Sequence, residues 1–399
     1  QGNLVLRDEG QLAAHHARLA MNAMRGIGSQ VHLVMWNFVG SIALIAGGEY
    51  STADAWLDEG WELSSGTYLE GFRAAYLMVR AASALRQGEK ARCRELMKRS
   101  LELARTGNGS YYYRWVLRFR EPLMAQAIEA GIDVPYVTAL VRNFDFRPPD
   151  PVMEAWPWSV RITTLGNFGV EVDGSPLAFS RKAPKKPLAL LKAVIAFGGR
   201  KVPEKRLLDA LWPDEDGDAA TEAFRVAIHR LRKLLGDVEL VEVDSGAVSL
   251  NLSHCWIDAR AFEHAVESAA DAKTDSFSAN ADRVLQLYKG HFLPADEESP
   301  WAISPRERLR SKFVAYVARQ GKRLEASARH DLAAEYYRRG IEADELAEEF
   351  YQGLMRCHLQ AGGVSDAMNV YRRLRQTLSV TLGIHPSPAS QKLFQSLRQ

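Results

Sequence analysis

Between Arg225 and Lys233 the chain carries four basic side chains (Arg225, Arg230, Arg232 and Lys233), the imidazole of His229, and no acid. Cations grouped this closely can bind a polyanion, or they can simply keep a surface helix in water. Phe224, Ile228, Leu231 and Leu235 recur at spacings of four, three and four, so on a helix they form one apolar stripe facing a core. Ala227 and Leu234 widen that stripe. The other face then carries Thr221, Glu222, Arg225, Val226, His229, Arg230 and Lys233, with Arg232 at its edge. Such a helix fits the major groove of double-stranded DNA, where arginine reads guanine edges and phosphates and smaller side chains contact thymine methyls. A solvated basic face is the alternative, and the neighbouring elements weigh against it.

Upstream, Val160 to Leu165 leads to Phe168 to Val172 in an alternating strand pattern, and Asp173-Gly174 then supplies a hairpin turn. A helix is expected from about Pro187 to Phe197, ended by Gly198-Gly199. A second runs from near Pro203 to Leu211-Trp212. The basic helix begins after Asp218, a good N-cap, and stops at Gly236. Two strands, Glu239 to Val243 and Ala247 to Leu252, flank Asp244-Ser245-Gly246. Sheet, three helices and a terminal hairpin is the order of a winged helix-turn-helix. Residues 181–206 hold nine Lys or Arg (Arg181, Lys182, Lys185, Lys186, Lys192, Arg200, Lys201, Lys205, Arg206) against one acid, Glu204. Lys185 and Lys186 stand at a helix start, where backbone N–H groups also favour phosphate oxygens.

Two acidic clusters bring this part of the chain to neutrality. Asp214, Glu215, Asp216, Asp218 and Glu222 lie before or at the start of the basic helix; Asp237, Glu239, Glu242 and Asp244 lie at the wing. Phosphates repel acids, so these are expected to point away from DNA. The first cluster, Asp214, Glu215 and Asp216, is a candidate protein-contact loop, with helix capping and solubility as the alternative.

The remaining chain is helical in pattern. Over 399 residues it holds 51 basic and 49 acidic side chains and is 47% hydrophobic, which excludes a mainly disordered chain, a collagen-like rod and a disulfide-stapled miniprotein. Cys93, Cys255 and Cys357 are scattered without metal-ligand spacing and read as reduced thiols of a cytoplasmic protein. Residues 1–147 form a helical array in which Gly48-Glu49 and Gly88-Glu89 mark turns 40 residues apart. A tetratricopeptide-type solenoid is expected, with a plain bundle as the alternative. Gly26 to Gly48 lacks Asp, Glu, Lys and Arg, yet its five glycines and polar residues read as a buried helix; no membrane is implied. A linker over 148–159 carries Pro148, Pro149, Pro151 and Pro157 with Trp156, and Phe144 and Phe146 just ahead of it suggest that it packs on a neighbour. The winged helix spans 160–257. Residues 258–399 are helical again, with Tyr337-Arg338-Arg339 and Tyr371-Arg372-Arg373 placed 34 residues apart, the tetratricopeptide period. The expected fold class is therefore mainly α: tetratricopeptide-like arrays flanking a winged helix-turn-helix (α+β) domain. No phosphate-binding loop, nucleophile elbow or metal-spaced cluster occurs (His15 and His16 are adjacent and point apart), so no enzyme, metal or cofactor is expected.

Phe224 to Gly236 resembles the recognition helix of the OmpR-type winged helices, and Leu207 to Trp212 their second helix. The stretch Leu287-Tyr288-Lys289-Gly290-His291-Phe292-Leu293-Pro294, then Pro300-Trp301, Arg306-Glu307-Arg308-Leu309 and Leu382-Gly383-Ile384-His385-Pro386-Ser387-Pro388, is similar to the bacterial transcriptional activator domain. The pairing resembles the SARP-type activators. It implies binding to direct repeats in DNA and recruitment of RNA polymerase, with the loop at Asp214 to Asp216 as the polymerase contact. Two features depart from that pattern. The second wing strand, Ala247 to Leu252, lacks the aromatic and basic residues usual there, and a helical array precedes the winged helix. That order resembles the C-terminal part of larger nucleotide-switched regulators, so an upstream nucleotide-binding domain, or a signalling ligand on the N-terminal array, joins DNA and polymerase among the partners to be considered, as does a homodimer on DNA. The competing reading is an interaction scaffold whose winged helix contacts protein. The Arg225 to Lys233 cluster favours DNA; the neutral charge and bare wing favour the scaffold.

Overall fold

The computed structural model describes residues 5, 9–66, 69, 71–106, 113–114, 116, 118–177, 184–236, 240–271 and 283–396. The chain divides into two compact units, Gln1–Pro157 and Trp158–Gln399. The break falls within the Pro-rich stretch, and the winged helix and the C-terminal array share the second unit.

The first unit is a row of helices: α1 (Gly10–Ile27), α2 (Gln30–Ala46), α3 (Tyr50–Ser64), α4 (Phe72–Arg86), α5 (Lys90–Thr106), α6 (Arg120–Glu129) and α7 (Val134–Asn143). The two Gly-Glu turns are built alike. Gly48 and Gly88 adopt φ of +81° and +79°. The following N–H groups, of Glu49 and Glu89, reach back to the carbonyls of Leu44 and Ala84 at 2.9 Å. This is the left-handed helix stop that glycine accommodates without a Cβ penalty. The uncharged stretch from Gly26 to Gly48 is divided at Gly28, and no helix among the described residues is long and apolar enough to cross a membrane. Most of the C-terminal half of α2 is buried, including Phe38, Ile42 and Leu44. Phe146 packs in this unit beneath Arg120, whose guanidinium lies 5.0 Å from its ring.

The second unit opens with β1 (Val160–Thr163), β2 (Gly169–Val172) and β3 (Ser175–Pro176), then α8 (Lys185–Ala196), β4 (Val202–Pro203), α9 (Glu204–Leu211) and α10 (Gly217–Leu234). The wing follows as β5 (Val241–Asp244) and β6 (Ala247–Leu250), and β7 (Cys255–Ile257) returns beside β1. One sheet has the order β3-β2-β1-β7 and the other β4-β6-β5. Three details differ from the sequence expectation. The first helix starts at Lys185, two residues early. Pro203 is spent in β4, paired with Ala247, so α9 starts one residue later. At α10 the capping position belongs to Asp216, which is extended, and Asp218 already lies in the first turn; there its charge favours the positive helix end without capping it. The wing turn uses Ser245 and Gly246, both with positive φ (50° and 74°), the geometry that matches strand twist in a two-residue hairpin. Of the wing acids, Asp237 and Glu239 lie outside the described residues.

From Asp258 onward come α11 (Asp258–Asp271), α12 (Pro300–Ala326), α13 (His330–Ala343), α14 (Glu348–Gln360), α15 (Val364–Leu382) and α16 (Pro388–Ser396). The two hairpins of this array turn at Ala328 and Gly362, 34 residues apart and both left-handed (φ of 56° and 76°). Tyr337 is held between two glycines: a Cβ at Gly321 or at Gly353 would stand 2.5 Å from its ring. Gly353→Ala should therefore cost about 1–3 kcal/mol through overpacking, read as a lowered urea midpoint; an unchanged midpoint would show that the ring yields. One period later Tyr371 stacks on Phe394 of α16, ring centroids 4.1 Å apart, and this final helix closes the array. Glu348 fixes the turn into α16 by accepting the Ser387 N–H (3.0 Å) and the hydroxyls of Ser387 and Ser390.

The two halves of this unit are joined without a spacer, since β7 ends at Ile257 and α11 begins at Asp258. The Asp258 carboxylate is buried and accepts four donors: the N–H and hydroxyl of Thr164 and the N–H groups of Leu165 and Ala259, at 2.6–2.9 Å. Burial pushes its pKa up, against the downward pull of these four hydrogen bonds. The loop before α12 returns to the same strand end: Leu293 N–H donates to Thr164 at 2.8 Å and Gly166 N–H to His291 at 3.0 Å. Arg306 locks that loop by donating to the carbonyls of Phe292 and Leu293, both at 2.9 Å. A half-buried ion pair, Lys192–Asp296 at 2.7 Å, ties α8 to it.

Candidate nucleic-acid interface

The inner face of α10 consists of Ala220, Phe224, Ala227, Ile228 and Leu231, all buried, with Leu235 beyond its end. Trp212 meets Phe224 edge-on at 6.3 Å, so the loop from Pro213 to Asp216 leaves a fixed aromatic anchor. At about 100° per residue, the direction opposite this core is shared by Glu222, Val226, His229 and Lys233. Arg225 and Arg230 stand on opposite flanks of that stripe.

Exposure follows this division. Arg225 is 72% exposed and Glu222 69%, in a loose pair at 3.8 Å; Val226 is 38% exposed, high for an aliphatic side chain on a packed helix. His229, Arg230 and Lys233 are exposed, and none of their side chains is engaged in an ion pair among the described residues. Thr221 is half-buried and its hydroxyl donates to the Gly217 carbonyl at 2.8 Å, so it serves its own helix. Arg232 donates two hydrogen bonds to the Val241 carbonyl, at 3.1 and 2.9 Å. Its guanidinium is a strut between α10 and the wing, rather than a cation standing free beside the outward residues.

The upstream basic cluster separates in the same way. Lys186 donates to the Leu211 carbonyl at 2.5 Å and lies 5.0 Å from the Trp212 ring, holding α8 to the end of α9. Lys192 pairs with Asp296, and Arg206 stacks 3.9 Å above Phe197. Lys185, Arg200, Lys201 and Lys205 remain at the surface as cations that can meet phosphates. Arg181 and Lys182 lie outside the described residues. The wing tip offers Glu242, Val243, Asp244 and Ser245, all exposed, and no cation.

Asp214, Glu215 and Asp216 are fully solvent-facing in the loop between α9 and α10. Glu222, grouped with them by sequence and expected to point elsewhere, instead projects from the middle of the outward stripe. Helical periodicity already sets Glu222 on this outer face beside Arg225 and Val226, and the structure keeps it there, exposed. Among the described residues no three His, Cys, Asp or Glu side chains are grouped to hold a metal ion.

The second unit thus combines a winged helix that presents an outward basic helix with a continuous tetratricopeptide-like array. Residues 257–398 match the bacterial transcriptional activator domain. The chain is 28% identical over 258 residues to the regulatory protein AfsR of Streptomyces coelicolor, covering 63% of this chain and 26% of that protein. It is 24% identical over 242 residues to the transcriptional regulatory protein EmbR of Mycobacterium tuberculosis, covering 57% and 61%. A solved structure of EmbR from that organism, in complex with a low-affinity phosphopeptide, aligns with a TM-score of 0.47 and 21% identity over 60% of this chain and 65% of that one. The chain thus spans about a quarter of the length of the AfsR relatives. Over residues 257–398 the chain is similar to the bacterial transcriptional activator domain, and over about 60% of its length to these regulatory proteins.

Proposed function

We propose that the chain is a sequence-specific DNA-binding activator in which α10 enters the major groove. The supporting observation is the division of α10 into a buried apolar face and an outward face carrying Arg225, Val226, His229, Arg230 and Lys233. In this reading Val226, His229 and Lys233 face base edges, Arg225 and Arg230 reach the phosphates bordering the groove, and Lys185 at the start of α8 adds a phosphate contact. Lys186 and Arg232 act by holding the frame. The work is binding in the cytoplasm rather than catalysis, and the helical arrays serve as surfaces for signals or partners.

The test is capture of genomic fragments by the 399-residue chain, followed by gel shift on the recovered DNA. Fragments sharing a repeated half-site support the reading. Weak, sequence-blind capture favours a scaffold whose winged helix contacts protein. RNA polymerase is the proposed partner of the loop at Asp214, Glu215 and Asp216, which is exposed, uniformly acidic and carried on a rigid anchor. Replacing the three with Asn, Gln and Asn should reduce transcription several-fold in a reconstituted assay while leaving DNA affinity within about twofold, since these carboxylates lie off the helix face. Equal loss of both would sink the polymerase contact.

A further inference from the structure

Glu222 is the single acid between Thr221 and Leu234, and it stands in the second turn of α10, at the centre of the face assigned to DNA. A carboxylate there is repelled by the phosphates, so an apolar or basic residue would give tighter non-specific binding. What a carboxylate offers is an acceptor without a donor. In the major groove guanine presents two acceptors, thymine an acceptor and a methyl, and adenine an acceptor beside its amino group; cytosine alone presents an unopposed N4 amino donor. The N-terminal part of a recognition helix is also the part that approaches base edges. Arg225, one turn on and 3.8 Å away, offsets the phosphate repulsion.

We propose that Glu222 is a specificity-determining residue that accepts a hydrogen bond from the N4 amino group of one cytosine in each half-site. The proposal rests on the DNA-reading assignment of α10. Its test is selection from a library of random duplexes by the full chain, beside Glu222→Ala and Glu222→Gln. The wild-type chain should select a repeated half-site with one nearly invariant cytosine, and replacing that C·G pair by T·A should weaken its binding about tenfold. Glu222→Ala should bind the two duplexes within about twofold of each other and bind unrelated DNA more tightly. Glu222→Gln, carrying a donor and an acceptor, should shift the preference toward adenine. If Glu222→Ala binds all DNA more tightly but keeps every base preference, the residue acts by repulsion alone and the proposal is overturned. If the wild-type chain selects no sequence, the DNA-reading assignment itself falls, and this proposal with it.

Discussion

Asp258→Ala will lower the stability of the C-terminal unit by about 4 kcal/mol. The carboxylate is a buried acceptor for three backbone N–H groups and one hydroxyl. Removing it leaves those donors unpaired in a site closed to water. Each orphaned buried donor costs about 1–3 kcal/mol, and relaxation recovers part of the sum. Urea unfolding of the full chain reads the change directly. A loss below about 1 kcal/mol would mean that water enters and replaces the carboxylate. Thr164→Val removes the hydroxyl alone and should cost about 1 kcal/mol, so the site stays testable if the alanine variant fails to accumulate. The effect should appear as one cooperative loss, because the same strand end also receives the returning loop at His291 to Leu293.

The second large effect belongs to the two flanking arginines of α10. Arg225→Ala and Arg230→Ala should each weaken DNA binding by about 1 kcal/mol, the loss of one phosphate contact. In the proposed docking their positions, about 140° apart around the helix, would aim them at the borders of the groove rather than its floor. The loss should therefore be uniform across sequences, and the slope of log affinity against log salt should become shallower by about one for each arginine. Gel shifts at three salt concentrations, on the operator and on an unrelated duplex, separate the cases. Relaxed specificity with an unchanged salt slope would move the arginines onto base edges; unchanged affinity in both variants would move the DNA surface off α10.

Much of this was legible from periodicity. The apolar stripe of α10 falls where the four-three-four spacing puts it, and the Gly-Glu turns stop helices as left-handed glycine positions do. What periodicity could not show was which cations are already in use. Arg232, Lys186 and Lys192 look the same in sequence as Arg230 and Lys185. Only the fold brings Arg232 to the Val241 carbonyl, Lys186 to Leu211 and Lys192 to Asp296, because each partner lies on a different element. Asp258 was invisible for the same reason: three of its four donors are 93 or 94 residues away. The cap expected at Asp218 falls two residues earlier, at Asp216, since both residues suit a helix start and sequence alone does not choose between them.

The absence of any residue between β7 and α11 bears on how such chains can diversify. A winged helix is often imagined as a cassette exchanged between regulators by recombination. Here a crossover at residue 257 would part the edge strand of one sheet from the carboxylate that secures its neighbour, and a foreign array would have to supply both an aspartate and a loop of the right reach. The span from Trp158 onward would then be expected to move as one piece, because its two halves share this strand end. New operator preferences would then arise by point changes on the outward stripe of α10, within an inherited frame, rather than by shuffling frames.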